Sequence, residues 1–241
     1  MKKTGIALLC VTVLAVMTAG CTGKQASEQK EENNGQLSAP GGWTVNSEAN
    51  VNLTEKETAV FEQATETLTG VGYTPVAVVA EQVVSGTNRA YLCTGTVVTP
   101  DAEPEWYILT IYEPFEGSPE IIGNIKMDIN NIYTLENVNT QEAVGSWEVK
   151  KADPVRLPEN AQNAFDKAAE GYTGVGFYPV ALLGTQVVSG TNYRILCRGE
   201  MVTSDPVVSL YVIDVYEDPE HNAQITDVKI VFLEMYAGIN L

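Results

Sequence analysis

The chain has 241 residues, 44% of them hydrophobic, and carries 31 acidic against 14 basic side chains, a net charge of −17. Charge of that sign and size excludes electrostatic binding of nucleic acid or anionic lipid and favours basic partners. One histidine and four cysteines leave no material for a Cys/His metal centre or for a Cys-His or Ser-His nucleophile pair. No metal, cofactor or catalytic residue is therefore expected, and the chain is not read as an enzyme.

Residues 1–20 have the layout of a secretory signal. Lys2 and Lys3 precede an apolar run from Ile6 to Val16, followed by the small residues Thr18-Ala19-Gly20. The run is shorter than the roughly 20 residues that span a bilayer. Ala-Gly-Cys at its end resembles a bacterial lipobox, with Thr18 where an aliphatic residue is usual. That resemblance implies a lipid on Cys21, which would hold the protein to the membrane on its extracytoplasmic side. Cleavage there removes two lysines and no acid, taking the charge to −19. Residues 21–42 are rich in Gln, Glu, Asn, Gly and Ser and have no aromatic or β-branched run. Such a composition cannot bury enough apolar surface to offset its ordering entropy, so a disordered tether is expected.

The first folded element is a helix. Thr54-Glu55-Lys56-Glu57 is a capping box. Val60, Phe61, Ala64 and Leu68 make an apolar stripe, and Gly70 is a stop signal. Four strands follow, near Pro75–Ser85, Thr87–Thr99, Trp106–Pro114 and Ile121–Ile132. Polar Thr110 assigns Tyr107, Leu109 and Ile111 to the core side of the third strand and leaves one sheet face in solvent.

The pattern then recurs. Gln82-Val83-Val84-Ser85-Gly86-Thr87-Asn88 returns letter for letter as Gln186-Val187-Val188-Ser189-Gly190-Thr191-Asn192. The 104-residue offset holds from Thr69 to Glu113 with about half the positions identical. Beyond Glu113 the match of Ile125-Lys126 with Val228-Lys229 suggests an offset of 103 and a loop one residue shorter. Upstream, Gly41-Gly42-Trp43 matches Gly145-Ser146-Trp147, and each Gly-X-Trp is a candidate edge strand. The second helix starts at Pro158 and carries Ala161, Ala164, Phe165 and Ala168; polar Asp214 stands where Thr110 does. Two copies are too few for a solenoid, so each is expected to close its own core. The fold class is α+β: repeat 1 over 43–140 and repeat 2 over 145–241, each a helix on a four- to five-stranded antiparallel sheet, joined by a linker near Tyr133–Val144. Cys93 and Cys197, at equivalent positions, read as buried thiols acting as small hydrophobes.

One helix, four antiparallel strands and QVVSGTN at the first hairpin resemble the cystatins, and TQVVSGTNY in repeat 2 is closest to the stefin-type pattern. The resemblance covers nearly all of both repeats. It implies reversible inhibition of papain-like cysteine proteases by a wedge of three elements. In repeat 1 these are the trunk Gly41 and Gly42, the hairpin Gln82, Val83, Val84, Ser85 and Gly86, and the loop beginning Pro114-Phe115. In repeat 2 they are Gly145, then Gln186, Val187, Val188, Ser189 and Gly190, then the loop holding Pro219. Two other uses of the string stay open. It would serve as a plain turn, with Gln82 and Thr87 bonding across it, or as the contact surface of a non-inhibitory module that binds another extracellular protein or peptide.

Overall fold

A computed structural model describes residues 42–132, 147–149 and 157–236. The signal, Cys21, the tether, Gly41, Gly145 and the linker lie outside them. The described part begins with strand β1 (Trp43–Val45), helix α1 (Glu55–Thr65) and strands β2 (Val71–Val84), β3 (Gly86–Val97), β4 (Glu105–Pro114) and β5 (Glu120–Met127). Helix α2 (Glu159–Ala169), strands β6 (Val175–Val188), β7 (Gly190–Met201), β8 (Val208–Glu217) and β9 (Ala223–Ile230) and a short helix α3 (Leu233–Tyr236) follow. Both sheets are antiparallel meanders, ordered β1-β2-β3-β4-β5 and β6-β7-β8-β9.

Local chemistry sets these elements. The Thr54 hydroxyl accepts from the Glu57 N–H at 3.2 Å, and the Glu57 carboxylate accepts from the Thr54 N–H at 2.7 Å, closing the capping box. Pro158 takes the N-cap of α2. Val60 and Phe61 are buried and Ala64 packs beside them. Leu68 does not belong to the stripe: α1 ends at Thr65, and Leu68 lies in the turn beyond it, exposed. The turn is forced because the chain must reverse to start β2 at Val71. Pro75 and Pro179 have no N–H to give the ladder, and each sits at a β-bulge repeated in the two copies.

The ladders correct the expected deletion. Ile121 pairs with Ile111 and Ile225 with Val215, each just past a bulge, and Val231 follows the same spacing by donating its N–H to the Leu210 carbonyl at 2.8 Å. Ile125 pairs with Ile108 and Lys229 with Val212. The offset therefore stays at 104, and the counterpart of Ile125 is Lys229 rather than Val228. Matching residue identities had shifted the alignment by one position; hydrogen-bond register fixes it.

Each sheet has two buried faces. On one, α1 covers Tyr91, Cys93, Leu109 and Ile111, and α2 covers Ile195, Cys197, Ile213 and Val215. On the other, Leu92, Trp106, Ile108 and Met127 of the first repeat share one cluster with Leu183, Leu196, Leu210 and Val212 of the second. The layers run helix, sheet, sheet, helix: each repeat closes a core of its own under its helix, as expected, but the face expected in solvent is buried in a further core that the two repeats share. Polar Thr110 and Asp214 stand on the face that the two sheets bury between them. Asp214 accepts two bonds from Arg194, at 2.7 and 2.5 Å, and Thr110 is fully buried. Donors that stitch the repeats together include the Trp106 indole N–H to the Leu183 carbonyl at 2.7 Å, Arg194 Nη1 to the Ile129 carbonyl at 2.5 Å and Arg198 Nε to Asn50 Oδ1 at 3.4 Å. Cys93 and Cys197 are both free and buried, as expected.

Candidate functional site

The QVVSGTN string is the tip of the first hairpin. Val84 faces Gly86 across the ladder, leaving Ser85 alone at the turn. So tight a reversal requires positive φ, and Gly86 supplies it at +135°. The glycine is needed a second time because β4 crosses directly beside it. A Cβ there would collide with the Glu113 carbonyl oxygen and sit 2.9 Å from the Tyr112 ring and 3.1 Å from the Pro114 backbone. Tyr112 then donates its hydroxyl to the Ser85 carbonyl at 2.6 Å, fixing the turn. Gln82 Oε1 accepts across the hairpin from Asn88 Nδ2 at 2.7 Å, and Thr87 faces Val83. The scaffold thus uses Gln82, Ser85, Gly86 and Asn88. Val83 and Val84 have no such duty at the tip, and their exposures are 76% and 38%.

Register brings the other two elements to this end of the sheet. Trp43 pairs with Gln82, so the Gly42 that precedes it lies level with Val83. Strand β1 makes Trp43–Val45 an edge of the sheet, as expected. Pro114 pairs with Gly86, so Phe115 begins the β4–β5 loop one step past the hairpin. Phe115 is 85% exposed, Gly117 turns the loop with φ +110°, and the Gln63 amide of α1 reaches Ser118 Oγ at 3.3 Å. Gly42, the hairpin and the Pro114-Phe115 loop stand in a row along one end of the first sheet.

A charge network sits just behind the row. Arg89 pairs with Glu81 at 2.7 Å and with Glu113, whose other oxygen takes Lys56 Nζ at 3.0 Å. Burial works against the charge of Glu113, but its bonds to Arg89 and Lys56 outweigh burial and hold the carboxyl below its usual range. This support was missed from the sequence. Its one signal was the Tyr112-Glu113 pair, repeated as Tyr216-Glu217.

Repeat 2 copies the tip. Gly190 has φ +124°, Tyr216 donates to the Ser189 carbonyl at 2.6 Å, and Asn192 bonds Gln186 at 2.7 Å. Val187 and Val188 are 76% and 40% exposed. Among the described residues the trunk contributes one bridge, Glu148 to Thr185, and the Trp147 ring lies under the Arg194 guanidinium at 4.1 Å. The second loop differs in character. Asp218 accepts from the Asn222 side chain and backbone N–H, both at 2.8 Å, and these bonds hold its carboxyl below the usual range. His221, at φ +64°, places Nδ1 3.0 Å from Glu217 Oε1. Pro219 is exposed in this acidic turn, and no aromatic stands in the place of Phe115.

Among the described residues no group of three or more His, Cys, Asp or Glu side chains is placed to hold a metal, and no helix is long and apolar enough to cross a membrane. Compared by sequence, the chain matches no protein-family model and no curated protein.

Proposed function

We propose that the row of Gly42, Val83-Val84-Ser85 and Pro114-Phe115 is a wedge that plugs the cleft of a papain-like cysteine protease, as the cystatin resemblance implies, and that the chain is a reversible, non-covalent inhibitor. On this reading a lipid on Cys21 and the following tether hold the inhibitor at the outer face of a cell membrane. The observation that carries the proposal is the division of labour within QVVSGTN. Gln82, Ser85, Gly86 and Asn88 brace the turn, while Val83 and Val84 stand in water beside an exposed Phe115. A turn with only a structural duty would carry polar residues there, and apolar surface gathered at a loop end marks a contact. Burying Val83 and Phe115 in a cleft would return about 1.5–3 kcal/mol each. The Tyr112 bond and the charge network hold the row in place beforehand, which limits the ordering cost of binding.

The test is a titration of papain with residues 35–241, followed with a fluorogenic substrate. Slowed turnover is expected, with Val83→Asp weakening inhibition by ten-fold or more. Undiminished turnover at high micromolar protein across a panel of papain-like enzymes would replace the inhibitor reading with that of a non-inhibitory extracellular protein- or peptide-binding module.

A further inference from the structure

Resting on that proposal, we infer that each chain holds two protease molecules at once, one at each hairpin tip. Two observations lead there. The first is that the tips are equivalent in backbone and exposure. Gly86 and Gly190 have the same positive φ, to within about ten degrees. A tyrosine hydroxyl pins the turn carbonyl at 2.6 Å in both, and the leading valine is 76% exposed in both. Whatever cleft accepts Val83 meets the same apolar pair, on the same braced turn, at Val187.

The second is where the tips lie. Ile129 follows the end of β5 at Met127, which pairs with Trp106 at the far end of the first sheet from its hairpin. There the Ile129 carbonyl accepts from Arg194, four residues from Gly190 at the second hairpin. A Cβ on Gly184, opposite Arg194 in the ladder, would sit 3.0 Å from the Ile129 side chain. The second tip therefore lies toward the end of the first sheet that is remote from the first tip. Along β4, from Pro114 back to Trp106, that is a distance of roughly 26 Å, and the second hairpin projects farther. Because the shared core fixes the repeats face to face, this separation is built into the fold and not set by the linker. A globular partner seated on one tip leaves the other open.

The loops beside the tips differ, with Phe115 at the first and the Asp218–Asn222 turn at the second, so the two affinities differ while the stoichiometry does not. The experiment mixes residues 35–241, which contain all three buried clusters, with excess papain and measures the mass of the complex by light scattering after gel filtration. The expected complex contains two papain molecules per chain. Val187→Asp, at a site exposed enough to leave the fold intact, should reduce it to one without changing the inhibition constant of the site that remains. Val83→Asp should also leave one. A wild-type complex saturating at one papain per chain overturns the inference and leaves the proposed function standing. The absence of any complex overturns both.

Discussion

Gly86→Ala is expected to cost far more than a glycine-to-alanine change usually does. The residue has φ +135°, and holding a side chain in so sparsely populated a region costs about 1–3 kcal/mol. The added methyl also meets backbone. The Glu113 carbonyl blocks it, Pro114 Cα is 3.1 Å away, and the Tyr112 ring at 2.9 Å is tied to Ser85. Forcing an atom into such a site costs about 1–3 kcal/mol more. Together these give about 4 kcal/mol, or a fall in Tm of about 8–15 °C for a unit of this size. Gly70→Ala is the control. Gly70 also has positive φ, +95°, but nothing lies within 4 Å of its Cβ position, so only the backbone term applies, about 1–2 kcal/mol. The gain from stiffening the unfolded chain is the same in both variants and cancels. Urea denaturation of the two proteins reads the difference directly. Gly190→Ala should match Gly86→Ala, because its Cβ would meet the Glu217 carbonyl and the Tyr216 ring in the same way. Equal losses for Gly86→Ala and Gly70→Ala would show that the close approach of β4 does not constrain the hairpin.

Three further outcomes are expected. Calorimetry should show one cooperative transition for both repeats, and Trp106→Leu, which removes the bond to Leu183 and leaves a void in the shared cluster, should lower all of it by about 3 kcal/mol; two transitions of which one moves would refute the shared core. Glu113 is held below its ordinary range when folded, so its contribution is present above the unfolded carboxylate value near about 4.3 and is lost as the pH falls below it. Glu113→Gln should therefore lower stability at pH 7 and flatten its decline between about pH 5 and 3, and an unchanged pH profile would count against the network. Burial pushes the thiols of Cys93 and Cys197 up, so a thiol reagent should label neither in the native protein and both in denaturant; rapid native labelling would contradict their burial.

The repeat, the two helices and the eight long strands were legible because they rest on local signals. The capping box, the Pro158 start and the alternation of β4 each depend on residues a few positions apart. The second buried face was not legible. Thr110 and Asp214 read as solvent-facing, since a sequence does not display that Arg194, twenty residues from Asp214 and in another strand, comes to neutralise it. Trp106, Ile108 and Leu210 carried the missing signal, being apolar on the face assigned to water. The candidate site was legible as a motif but not as a structure. Val83 and Val84 stood out, whereas the bracing by Tyr112, Asn88 and Arg89 depends on which strand end meets which. The shift at Ile125 has the same origin, because register is a property of the ladder.

Hydrogen exchange of residues 35–241, alone and with excess papain, locates the surface that a partner touches. Exchange is expected to slow at Val84, Gly86 and Phe115, with the sheet edges β5 and β9 and the outer faces of α1 and α2 unchanged. Protection centred on those edges or helices, with the hairpin exchanging as freely as before, would contradict the proposed wedge.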